Sequence, residues 1–194
     1  AYDMVGYGES LPCLHDTPEA LRIHTWNSIR VIDFLLSLGF VDDTKLGVTG
    51  ASGGATQSFL LAAVDDRIDV SVPAVQISAH FYGGCVCESG MPIHKTATFE
   101  TNNVEIAASF APKPQLIISD GDDWTKNVPA VEYPYIRNVY SLFGKAGSLV
   151  FTDFRSLEVR TVGLPPGTSF LIVNTAVKHA LVDSEYNERR QRCE

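Results

Sequence analysis

Between an apolar run and a helical one, the stretch Lys45–Val64 sets Ser52 among glycines, as Gly50-Ala51-Ser52-Gly53-Gly54. Gly-x-Ser-x-Gly, directly after a strand and directly before a helix, is the pattern of a nucleophile elbow, a sharp turn that presents the serine hydroxyl. No other feature constrains the fold as strongly. It asks for a strand whose carboxyl end borders a crevice and for a helix that begins at once. A hydroxyl is a poor nucleophile until a base takes its proton, so the pattern also asks for a histidine and an acid elsewhere.

The flanking sequence supplies alternating elements. The stretch His15–Phe40 holds a long helix, with Leu21, Ile29, Ile32, Leu35 and Leu36 at three- and four-residue spacing and Gly39 just past the helix end. Asp16 or Thr17 is its expected cap, with Glu19 in capping-box spacing and Pro18 in the first turn. "AYDMVGYGES" reads as the end of a strand entering a loop. "IDVSVPAVQIS" has the β-branched content of a strand, and "QLIISDGDDW" is an apolar strand ending in acids. Between them lie a long aperiodic loop and a short helix, "NVEIAASFAPKP", halted by Pro112 and Pro114. "PAVEYPYIRNVYSLFG" reads as helix despite Pro134. Strands alternating with helices predict an α/β fold with a parallel sheet, in which Ser52 and the acids Asp120, Asp122 and Asp123 all follow strand ends.

Length and charge narrow the function. The 194 residues suffice for one domain with a core, and the 45% hydrophobic and 20% charged content is that of a globular chain. A net charge of −8 argues against a nucleic-acid partner. No apolar run approaches the roughly 20 residues of a membrane span, so no membrane partner is expected and no targeting segment is read. Residues 1–150 carry all of the net charge, while residues 151–194 balance six basic against six acidic side chains. Of Cys13, Cys85, Cys87 and Cys193, the close pair Cys85-Val86-Cys87 is tighter than the usual metal or redox spacing, and no second pair completes a zinc site. No metal or cofactor is therefore expected.

Residues 1–150 resemble the α/β-hydrolase superfamily, and more narrowly the acetyl xylan esterase-like hydrolases. The pieces carrying the resemblance are "DMVGYGES", "ALRIHTWNSIRVIDFLLSL", "LGVTGASGGATQSFLLAAVDDRI", "GGCVCESG" and "FAPKPQLIISDGDDWTKNVP", in that order. The resemblance implies a partial hydrolase-type domain whose leading strands are missing and whose substrate is a small-molecule or carbohydrate ester. Ser52 would be its nucleophile, the N–H of Gly53 half of its oxyanion hole, and Asp123 its acid, with Asp122 as second choice.

From about Phe151 the chain resembles galactokinases of the GHMP kinase family, on "DFRSLEVRTVGLPPGTSFLIVNTAVKHALVDSEYNERRQRCE". This implies a strand–strand–helix segment over 151–194 in which Tyr186 would line a sugar pocket. The phosphate loop, arginine and catalytic aspartate of that family are not traceable in residues 1–194. Phosphoryl transfer needs such parts.

Five histidines compete for the base. His15 reads as a capping or solvated side chain, His24 as part of a mixed helix face, and His80 and His94 as loop residues preceding the acid. His179 alone follows Asp123 and keeps the Ser–Asp–His chain order, although it follows the second strand after the acid instead of the first. Both chain ends read as cut, which makes an internal fragment the expectation. Three readings follow: an ester hydrolase by descent with impaired turnover, a sugar-kinase fragment, or a non-enzymatic chimera of the two.

Overall fold

The computed structural model describes residues 2–10, 14–80 and 85–153. Its elements are α1 (Ala20–Ser37), β1 (Leu46–Ala51), α2 (Gly53–Val64), β2 (Ile68–Ala74), α3 (Asn103–Ala108), β3 (Gln115–Ser119), α4 (Glu132–Leu142) and β4 (Leu149–Asp153). The chain is α/β, as the alternation predicts. Its four strands pair in parallel in the order β1-β2-β3-β4.

A sheet that adds each new strand on the same side, through right-handed crossovers, must put its crossover helices on one face. Accordingly α2 packs on β1 and β2, α3 on α2, α4 on α3, and α1 against α2. The core between these layers holds Leu21, Phe59, Leu60, Ile77, Ile117, Ile136 and Tyr140. Residues 53 and 55–62 of α2 are buried, which explains why its sequence lacks an apolar stripe: a helix covered all round needs none. The opposite face of the sheet carries Val70, Val72, Leu116, Ile118 and Val150 in register; Val70 is 38% and Val150 49% exposed, and the other three are half-buried.

The register brings the strand ends level. Ala51 lies beside Ala74, Ala74 beside Ile118, and Ser119 beside Asp153. Ser52, Val75 and Asp120 therefore leave the sheet along one edge, where the ligands of open parallel sheets bind. Strand β4 crosses the expected domain boundary at 150/151, and residues on both sides of it pair with β3.

Three local expectations are corrected. Residues 4–10 form turns, not a strand end, because both backbone groups of Val5 go to histidine rings: its N–H donates to His24 Nε2 and its carbonyl accepts from His15 Nδ1. Helix α1 begins at Ala20, and neither Asp16 nor Thr17 caps it through a side chain. The backbone closes that end instead, with the Ala20 N–H on the Thr17 carbonyl and the Ile23 N–H on that of Glu19. The third concerns His24, which lies on a covered face of α1 and is 1% exposed. Pro134 is tolerated in α4 because it stands in the first turn, where its missing N–H has no intrahelical partner to lose. No helix among the described residues is long and apolar enough to cross a membrane. The segment 154–194, with His179 and Tyr186, lies outside the described residues.

Candidate functional site

Ser52 has φ 53° and ψ −123°, a conformation costly for any residue with a side chain and held only where the surroundings enforce it. The enforcement is visible. The Ser52 N–H donates to the Ala74 carbonyl of β2, and the Ser52 carbonyl accepts from the N–H groups of Ala55 and Thr56. Gly50 is required by contact: a Cβ there would lie 2.5 Å from the Gly54 carbonyl carbon and nearer still to its oxygen. Strand and helix thus touch backbone to backbone across the turn, and the serine is squeezed outward. As the first residue of α2, Gly53 has an N–H without an intrahelical acceptor, on the side where the helix dipole favours negative charge.

The partner of the Ser52 hydroxyl is a residue that the sequence reading passed over. Ser52 Oγ donates to Glu88 Oε1. The other carboxylate oxygen of Glu88, Oε2, accepts from the Cys85 N–H at 3.4 Å. The Glu88 backbone is fixed as well: its N–H donates to the Cys85 carbonyl at 2.9 Å, and its carbonyl accepts from Thr56 Oγ1, in the first turn of α2, at 3.1 Å. Glu88 lies in the long loop after β2, the strand beside the elbow strand. Periodicity carries no signal there; the available hint was topological, since loops after neighbouring strand ends converge.

Asp123 belongs to a different construction. Its Oδ1 accepts from the Thr125 N–H at 2.6 Å and from Thr125 Oγ1 at 2.5 Å. The Thr125 hydroxyl also accepts from the Asp120 N–H, and Trp124 Nε1 donates to the Val75 carbonyl at 2.9 Å. Burial holds the Asp123 carboxyl above the ordinary aspartate range, against the Thr125 bonds and with a small push from Asp120 and Asp122. Asp122 is exposed and contributes its N–H to Asp120 Oδ1. Among the described residues no hydrogen bond joins Asp123 or Asp122 to Ser52.

The described histidines are committed elsewhere. His94 accepts from the Gly90 N–H through Nδ1 and donates from Nε2 to Asn103 Oδ1, whose amide in turn reaches the Gln76 carbonyl. Burial lowers its pKa, which suits a neutral structural ring. His24 is likewise lowered by burial, with His15 adding to the effect. His80 is exposed. His15 is neither a cap nor a solvated side chain: its ring lies edge-on to Tyr7 and meets Cys85. None of these four is hydrogen-bonded to Ser52.

The sheet, the level strand ends and the elbow define an α/β-hydrolase-like unit, as the sequence resemblance implies. Methylesterase BT1017 is similar to it with a TM-score of 0.73 and 41% identity, over 78% of this chain and 35% of that protein. The glucuronoyl esterase catalytic domain of Hypocrea jecorina (TM-score 0.52, 18% identity, 66% of this chain and 43% of that one) shares the fold. So does a glucuronoyl esterase of Sporotrichum thermophile, solved with methyl 4-O-methyl-β-D-glucopyranuronate (TM-score 0.54, 19% identity, 69% and 44%). The galactokinase of Actinobacillus pleuropneumoniae serotype 5b (strain L20) is 46% identical over 54 residues, which are 28% of this chain and 14% of the kinase. The chain thus spans about a third of the methylesterase and about a seventh of the kinase. No family model matches it.

Proposed function

We propose that residues 1–150 are the nucleophile-bearing part of a carboxylic-ester hydrolase that acts on carbohydrate esters. The observation that carries this reading is the strained Ser52 turn with a carboxylate on the serine hydroxyl. In the proposed step Ser52 Oγ attacks the ester carbonyl carbon while its proton passes to a base. The oxyanion forms against the Gly53 N–H, the alcohol leaves with a proton from the same base, and water then hydrolyses the acyl-serine. Two acids are available to hold that base. Asp123 is the one expected from chain order; Glu88 is the one whose carboxylate lies at the Ser52 hydroxyl, and for that proximity we assign the role to Glu88. His179 is the proposed base, by its order after both. Tyr186 and the segment from 151 onward belong to the proposed galactokinase-like tail, whose sugar site is no part of this reaction.

Methyl esters of sugar acids are the first substrates to test, because the 41%-identical neighbour is named a methylesterase. Sugar acetates, the class implied by the sequence resemblance, are the second. Alcohol and acid release from both should be followed for the full chain and for Ser52→Ala, together with covalent labelling by a fluorophosphonate. The expected result is labelling at Ser52 and release abolished in Ser52→Ala. Release that survives the substitution would overturn the reading. His179→Ala should lose labelling at Ser52, and its turnover should fall to what binding and oxyanion donors sustain, several orders of magnitude lower.

A further inference from the structure

Directly behind the elbow, the turn that carries Glu88 meets His15 from the other side of the sequence. His15 Nε2, Cys85 Sγ and Cys87 Sγ all lie within 4.8 Å of one another, and among the described residues they form the one such group of potential metal ligands. We propose that His15, Cys85 and Cys87 bind a thiophilic divalent cation, zinc by preference, as a three-ligand site with a fourth position open.

The geometry supplies what such a site needs. A ligating imidazole is normally fixed by a bond from its other ring nitrogen, which sets the tautomer and aims the lone pair. Here His15 Nδ1 donates to the Val5 carbonyl at 2.7 Å, so the lone pair of Nε2 faces the thiols, with Cys85 Sγ at 2.5 Å. The ring is further held edge-on by Tyr7 at 4.6 Å between centroids. Two sulfurs and one imidazole suit zinc, whose Zn–S and Zn–N distances of about 2.3 Å and about 2.0–2.1 Å place neighbouring ligand atoms roughly 3.5 Å apart. The three donor atoms already lie within 4.8 Å of one another, so seating an ion requires small shifts, among them a separation of Nε2 from the Cys85 sulfur.

Two thiolates and one dication make a site close to neutral, and binding the cation releases the thiol protons. Cys87 is buried, while His15 and Cys85 are half-buried. The one-residue spacing of the cysteines, unpromising along the chain, is sufficient once the third donor arrives from 70 residues away.

The location gives the ion a task. Cys87 Sγ would lie 3.1 Å from a Cβ at Gly53, so the site abuts the residue whose N–H faces the oxyanion. The Cys85 N–H holds Glu88 Oε2. A cation on Cys85 and Cys87 would therefore clamp the Cys85–Glu88 turn and, through it, the carboxylate on Ser52. That consequence rests on the hydrolase reading above, whereas the metal site does not.

The test uses the full chain, purified under reducing conditions after growth with zinc. Elemental analysis should find close to one zinc per chain, and substitution with Co2+ should give a thiolate-to-cobalt charge-transfer band in the near ultraviolet. Cys85→Ser and Cys87→Ser should each weaken zinc binding by more than about 100-fold, beyond the ~10–100-fold that outer-shell partners carry, and abolish the band. Ser52→Ala should leave both the zinc content and the band unchanged, which separates this proposal from the ester reading. If the cysteine variants fail to fold, release of zinc from the wild-type chain in step with mercurial titration of its thiols supports the site. A folded, reduced wild-type chain that takes up neither zinc nor cobalt overturns it, as does a folded variant lacking both thiols that binds zinc as tightly as the wild type.

Discussion

Glu88 and Asp123 are both carboxylates carried by loops at the same edge of the sheet, and they are spent differently. Glu88 extends from a turn fixed by backbone bonds and gives one oxygen to Ser52 and the other to the Cys85 N–H. Asp123 keeps to its own turn, and one of its oxygens holds both the N–H and the hydroxyl of Thr125. The first carboxylate is oriented by its loop; the second orients its loop. An acid that follows a strand end is a sound expectation for this fold, but the hydrogen bonds decide which acid lies at the serine.

The sharpest way to break this comparison is to neutralise each carboxylate in turn. Glu88→Gln should lower turnover of a sugar methyl ester by about 10³- to 10⁴-fold, the scale at which loss of the orienting acid acts in a serine triad. Asp123→Asn should lower it by less than about tenfold. The same kcat measurements decide both, with urea unfolding as a check that each variant is folded. If Asp123→Asn proves the damaging change, the chain-order expectation is right and Glu88 only steadies the resting hydroxyl.

The two regions also differ in what holds them. The Ser52 turn depends on backbone packing, so Gly50→Ala, which drives a methyl group into the Gly54 peptide, should cost about 3 kcal/mol or more in urea unfolding. The Asp123 turn depends on side-chain bonds. Thr125→Val keeps the shape of a fully buried residue while removing the hydroxyl that serves Asp123 and Asp120. About 1–2 kcal/mol is the expected loss. Equal losses for the two would sink the distinction.

Much of the scaffold was legible because it is local. The spacing of apolar residues in α1, the apolar runs of β1 to β3 and the glycines around Ser52 each act over a few residues. Apart from the helix cap, the misreadings involve long-range partners. Nothing near "AYDMVG" tells that histidines at 15 and 24 will take both backbone groups of Val5. The cap expected at Asp16 or Thr17 was lost to backbone bonds that no composition rule describes. Glu88 was invisible because its approach to Ser52 is arranged by Thr56 and Cys85 across an aperiodic loop. His15 joins two cysteines 70 and 72 residues away, so a search for spaced pairs could not find it.

The smallest expected effect bears on protons. Burial raises the folded-state pKa of Asp123 above its unfolded value. Between those two values the native chain binds more protons than the unfolded chain, so stability falls as pH rises through that window. Above the window the penalty on the ionised carboxylate is fully present; below the ordinary aspartate pKa it is absent. Asp123→Asn removes this dependence and should flatten the stability curve just above pH 4 by under about 1 kcal/mol, since the side chain keeps some contact with solvent. Urea midpoints collected in steps across the acid range, for wild type and variant, measure the difference. A wild-type curve that instead gains stability across that window relative to the variant would mean that the Thr125 bonds outweigh burial. Asp123 would then be held ionised by its own loop, as Glu88 is held ready by its own.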